Sequence, residues 1–236
     1  MKKTLQTFRY LFRSYVWMTC IGFLSILGGA AITDLVFQLT NRHNAVQQVV
    51  TLSAPFEITA GIFAFLTGLL LFIANFKVAL ANGISRKTFL LANFPIAVIA
   101  AVALSIFNMA ALMVHGLFWP IELISSLIYP HTAWGGSLLL QFALFLLLIV
   151  VGWTITLTYY RCNVPTKWIV SLAPLMLIIL VQQVNAQSGG AVKRAIGDYL
   201  HMSMGTPYMA ALFMLAYSVI LYGLIYLLIR RAPLKD

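Results

Sequence analysis

Apolar residues run along this chain in six long blocks separated by short polar stretches, at roughly residues 15–38, 57–76, 89–115, 136–159, 167–185 and 207–229. A helix rising about 1.5 Å per residue needs about 20 residues to cross the hydrocarbon core of a bilayer, so each block is long enough to span. None carries a Lys or Arg at its middle, where insertion would cost about 2.5–3.5 kcal/mol. The pattern predicts an all-α membrane protein with six transmembrane helices. Ahead of the first block, Leu5, Phe8, Phe12 and Tyr15 recur at helical spacing opposite Lys2, Gln6, Arg9 and Arg13. This predicts an amphipathic interfacial helix over 1–14, its apolar face among acyl chains and Lys2, Lys3, Arg9 and Arg13 against inner-leaflet headgroups.

The polar stretches carry their own signals. "NFKVALANGISRKTFLLANF", residues 75–94, reads as two short helical pieces: Asn82 and Gly83 form a helix stop, and Ser85 is the N-cap of the third span, with Arg86 and Lys87 at the membrane surface. Residues 117–134 are apolar but broken by Pro120, Glu122 and Pro130, and Trp119, Tyr129 and Trp134 suit an outer interfacial loop in the aromatic belt. Residues 186–206 resume after Gly189 and Gly190 with Val192, Ile196 and Tyr199 on one side, an outer or re-entrant segment.

Composition agrees: of 236 residues 62% are hydrophobic and 8% charged, against the roughly one quarter charged that a water-facing surface needs. The formal charge of +10 would fit a nucleic-acid binder if it formed one solvated patch, but the cations come in clusters between apolar blocks, so nucleic acid is excluded. Their placement sets orientation. Lys2, Lys3, Arg9, Arg13, Lys77, Arg86, Lys87, Arg161, Lys167, Arg230, Arg231 and Lys235 fall at the two ends and in the second and fourth connections. Only Arg42, Lys193 and Arg194 fall in the others, while Asp34, Glu57, Glu122 and Asp198 lie at or beyond the outer boundary. Cytoplasmic segments retain cations, so both termini are expected in the cytoplasm, which requires an even number of spans. The chain reads as one membrane domain over 1–236, with its N-terminus retained because the first apolar run exceeds a signal peptide's core.

Reactive chemistry is sparse. Cys20 and Cys162 lack the spacing of a zinc site or disulfide framework and read as inert thiols. His115, His131 and His201 fall on three outer segments at irregular spacing, and no nucleophile–base set or H-E-x-x-H occurs within a block. The chain therefore reads as a non-enzyme. Asn93, Asn108, Gln141, Thr154 and Gln182, with Thr156 and Ser171, are the polar residues expected to pack helices or line a route, and Pro95 and Pro174 to break or kink the third and fifth spans.

Within the second connection "NGISRKTFL", Asn82–Leu90, resembles the Gly-x-Ser-Arg-Lys-Thr turn after the second span of permease subunits of ATP-binding cassette exporters of the type 2 export class. The layout of the whole chain is similar to theirs. The resemblance implies a coupling region at 76–88, with Lys77, Asn82, Gly83, Ser85, Arg86 and Lys87 contacting a separate ATPase subunit. No G-x-x-x-x-G-K-[ST] loop occurs in this chain, so ATP and Mg belong to that partner and no cofactor to this chain. A second permease subunit, identical or related, would complete the pathway in a bacterial plasma membrane, and an apolar route implies an amphipathic or hydrophobic cargo such as a peptide, lipid or drug. The alternatives are an ion-coupled secondary transporter or channel, or a membrane partner that transports nothing.

Overall fold

A computed structural model describes residues 8–24, 28, 54–116, 129, 133–163, 166–168, 180, 182–184, 198 and 205–230, and among these no strand occurs. Five helices account for most of them: α1 (8–24), α2 (Ala54–Ala81), α3 (Arg86–Gly116), α4 (Trp134–Arg161) and α5 (Pro207–Arg230). The last four are each long and apolar enough to cross a membrane, so the chain is a multi-pass, all-helical membrane protein. They correspond to the second, third, fourth and sixth apolar blocks. Most of the first and fifth blocks, most of 186–206 and most of 117–133 lie outside the described residues, as do Lys2, Lys3, Pro174 and Ser171.

Two boundaries and one proline differ from the sequence reading. Helix α2 runs on to Ala81 rather than stopping at 76, because Val78, Ala79 and Leu80 continue its apolar face and nothing before Asn82 disfavours the helix. Trp134 opens α4 instead of belonging to the preceding loop. Pro95 lies inside an unbroken α3; it is exposed, so its ring and the carbonyl it leaves without a donor face outward, where neither obstructs packing.

Packing centres on α4, which lies against α2, α3 and α5. The α2–α4 contact depends on glycine. A Cβ on Gly68 would run into the backbone of Ile149, and one on Gly152 would come within 2.8 Å of Leu69 N and Phe65 O. Both helices thus approach at backbone distance, the geometry that small residues permit where no water is present to drive association. Thr156 Oγ1 then donates across the seam to Leu69 O at 3.0 Å as well as to Gly152 O of its own helix at 2.8 Å.

Helix directions follow from which ends meet. The start of α3 touches the end of α5, since Tyr222 Oη donates to Leu90 O at 3.0 Å, and the ring of Phe89 lies 5.4 Å from that of Phe76 near the end of α2. Asn108, late in α3, meets Gln141, early in α4. Helix α3 therefore runs opposite to α2, α4 and α5, and those three run alike. Arg161 closes α4 at one end of the bundle and Pro207 opens α5 at the other. Helix α1 runs with α3, Phe23 lying 4.7 Å from Phe107.

Helix α1 is continuous from 8 to 24, with no interruption at residue 14. Its inward line is Phe8, Leu11, Tyr15, Thr19 and Gly22, a spacing of three and four. Leu11 and Tyr15 are enclosed in the protein core rather than in acyl chains, and Phe12 turns outward, stacking on Phe8 at 5.9 Å. Of the expected stripe Leu5, Phe8, Phe12 and Tyr15, Phe8 and Tyr15 lie on this inward line, Phe12 lies beside it, and Leu5 falls outside the described residues.

Candidate functional site

The turn between α2 and α3 is short and fully specified by its sequence. Gly83 takes φ of 70°, the left-handed conformation that other residues adopt at a cost. Gly83 N donates to Leu80 O at 2.9 Å and Ile84 N to Ala79 O at 3.0 Å, the paired bonds of a Schellman stop. Asn82 adds its Nδ2 to Val78 O at 2.8 Å. Two residues later Ser85 Oγ accepts from Thr88 N at 3.2 Å and lies 2.7 Å from Thr88 Oγ1, capping α3. The helix stop and the N-cap stand where the sequence puts them. The expected pair of short helical pieces does not: residues 76–81 are the last turns of α2 and 86–88 the first of α3, because the Schellman bonds and the cap leave only 82–85 between them.

The six residues singled out in this region are brought together but differ in what they touch. Lys77, Asn82, Gly83, Ser85 and Lys87 are exposed. Lys77 Nζ lies over the Tyr160 ring at 5.9 Å from its centroid. Arg86 is half-buried and turned inward: its Nη1 donates to Ile229 O at 3.3 Å and to Arg230 O at 2.9 Å, the terminal carbonyls of α5. A guanidinium there satisfies acceptors that the helix itself cannot and meets the negative end of its dipole.

Beneath the turn, aromatic rings join three helices. Phe72 lies 5.6 Å from Phe89, edge to face, and 5.3 Å from Trp153; Phe76 stands 5.4 Å from Phe89 and 6.2 Å from Tyr160. Phe72, Phe76, Phe89 and Trp153 are wholly buried. Large rings in this arrangement leave little freedom for the turn to move separately from α2, α3 and α4. On the five helices Arg9, Arg13, Lys77, Arg86, Lys87, Arg161 and Arg230 all fall at this end of the bundle, and Glu57 falls at the other.

The polar residues inside the helices divide into two groups. Asn108 Nδ2 donates to Gln141 Oε1 at 3.1 Å, and Gln141 Nε2 donates to Glu57 Oε1 at 3.0 Å, a relay through α3, α4 and α2. Asn93 is fully buried, beside the Tyr15 hydroxyl, which also neighbours Trp153. Among the described residues neither polar atom of Asn93, nor Tyr15 Oη, nor Trp153 Nε1 has a partner in hydrogen-bond geometry. Thr154 bonds only its own helix, through Val150 O at 2.9 Å, and Gln182 is exposed. The sequence reading puts Glu57 at the outer boundary and Tyr15 on the apolar face of the first helix, assigns neither to a polar junction, and does not single out Trp153. Glu57 had a legible signal, a lone acid opening an apolar block, whereas Tyr15 and Trp153 look like ordinary membrane aromatics until three helices are assembled.

Among the described residues no group of His, Cys, Asp and Glu could hold a metal ion. Cys20 is exposed and Cys162 half-buried, both as thiols. Comparison with protein-family models, curated proteins and solved structures finds no match.

Proposed function

We propose that this chain is the membrane-spanning permease subunit of an ATP-binding cassette exporter in a bacterial plasma membrane, with six spans and both termini in the cytoplasm. The observation that carries the reading is the compact basic turn 82–88. It is clamped to α5 through Arg86 and to α2, α3 and α4 through the ring cluster. A force applied there is delivered to four helices at once, as a lever between a motor and a pathway requires. Lys77 and Lys87, both exposed, would position an ATPase subunit by charge while the packed turn transmits its motion. ATP and Mg are held by that partner. A second copy or relative of the chain completes the route, and an amphipathic or hydrophobic cargo moves as the spans tilt.

Support for six spans comes from helix direction. A chain that leaves α4 at the basic end and enters α5 at the far end has to cross once more between them, and 167–185 is the apolar block available. The concentration of cations at the ends that would then share one side agrees with retention in the cytoplasm.

Co-purification in mild detergent tests the reading. A Walker-containing ATPase should be retained by the native chain and lost with Lys87→Glu, while the variant keeps its thermal stability. Transport by the purified chain alone, or labelling of Lys87→Cys from outside the cell, would overturn it. An ion-coupled carrier is the second reading, favoured only by the Glu57–Gln141–Asn108 relay. Glu57 lies in the first turn of α2, far from the mid-depth position at which such carriers hold their ionisable groups.

A further inference from the structure

The far end of the bundle carries a groove of about 490 Å³ between α2 and α4, lined by Ile58, Gly61, Ile62, Phe65, Leu144 and Leu148 together with Glu57. The volume falls within the range of small-molecule sites. From Glu57 to Phe65 the wall extends roughly 12 Å along α2 at 1.5 Å per residue, enough for a short apolar tail. Gly61 contributes no side chain; a Cβ there would make ordinary contact with Leu148 Cδ1 at 3.5 Å, so a larger residue would fill the space.

What separates this groove from an ordinary lipid-facing crease is the way its carboxylate is held. Glu57 Oε1 accepts from Gln141 Nε2, and Gln141 is fixed in turn by Asn108. Gln141 is 5% exposed and Asn108 fully buried, so two amides from two other helices are spent on orienting one acid. Among the described residues Asn108 Oδ1 has no hydrogen-bond partner. A positioned carboxylate backed by buried amides and opening onto an apolar wall is complementary to a molecule with a cationic head and an apolar tail.

We infer that this groove binds an amphipathic organic cation, its head at Glu57 and its tail along Ile58, Ile62 and Phe65. The inference rests on the permease reading only in calling the occupant cargo; the binding itself needs no ATPase. The full-length chain in zwitterionic nanodiscs is titrated with radiolabelled dodecyltrimethylammonium and, separately, with the uncharged dodecyldimethylamine oxide, each above the background of empty discs. Saturable binding at least about tenfold tighter for the cation is expected. Glu57→Gln should abolish that preference, Glu57→Asp retain most of it, and Gly61→Leu weaken both ligands. Equal affinity for the two amphipaths in the native chain, or an undiminished preference in a folded Glu57→Gln variant, overturns the inference. If Glu57→Gln fails to fold, Gly61→Leu and Glu57→Asp decide: binding unchanged by the former, or preference lost in the latter, has the same consequence. Failure here with the ATPase still retained removes the ligand and leaves the permease reading; the reverse result removes the permease reading alone.

Discussion

Arg86, the first residue of α3, closes the last turn of α5 by donating to the carbonyls of Ile229 and Arg230, residues 143 and 144 positions later in the chain. Arg86, which the resemblance counts among the ATPase contacts, is half-buried and fastens the end of α5, while its neighbour Lys87 is exposed.

That division gives the first prediction. Arg86→Ala leaves two terminal carbonyls without a charged donor and should cost about 1 kcal/mol of stability, seen as a lower unfolding midpoint in detergent. Lys87→Ala touches nothing internal and should stay within about 0.5 kcal/mol of the native chain. Equal effects from the two substitutions would mean that the α3–α5 clamp contributes nothing.

Gly83 isolates backbone strain from crowding. A Cβ there meets nothing within 4 Å, yet φ is +70°. Gly83→Ala should therefore cost about 1 kcal/mol purely through conformation, and Gly83→Asn clearly less, because Asn tolerates the left-handed region. Thermal melts of the three proteins give the ranking; an alanine variant as stable as the native chain would contradict the stop as described.

Glycines in the bundle should behave oppositely according to what faces them. Gly68→Ala or Gly152→Ala drives a methyl into the backbone of the opposing helix and should cost about 3 kcal/mol or more, since neither helix can yield without losing the seam. Gly223→Ala, with open space around it, should be neutral or stabilising by up to about 1 kcal/mol. Chemical denaturation or heat inactivation in detergent distinguishes the two classes.

The contrast also marks what sequence reveals in this molecule. Asn82–Gly83 and Ser85 announce their turn because stop and cap are local, made by residues within five positions of one another. The apolar blocks announce α2 to α5 for the same reason: length and polarity are properties of the segment alone. Arg86's partners on α5, the Gly68–Gly152 approach and the Glu57–Gln141–Asn108 relay are invisible along the chain, since each depends on helix register and on which faces meet. Hydrophobicity cannot supply that register here, because a helix that is apolar on every side has no stripe to mark its inward face.

The junction of α1, α3 and α4 provides a test whose sign runs against a simple count of polar groups. Tyr15 is 2% exposed, and its hydroxyl sits beside Asn93 and Trp153 without hydrogen-bond geometry to either. An unpaired buried hydroxyl carries a desolvation cost, so removing it should relieve the fold while the ring goes on filling its place. Tyr15→Phe is expected to match the native chain or exceed it by up to about 1 kcal/mol. Tyr15→Ala removes the ring as well, opens a cavity against the core and should cost about 3–5 kcal/mol. Unfolding midpoints in one detergent compare all three. A Tyr15→Phe variant destabilised by more than about 1 kcal/mol would mean that the hydroxyl is bonded in the membrane-embedded protein, and that Asn93 and Trp153 gain a partner when α1 docks.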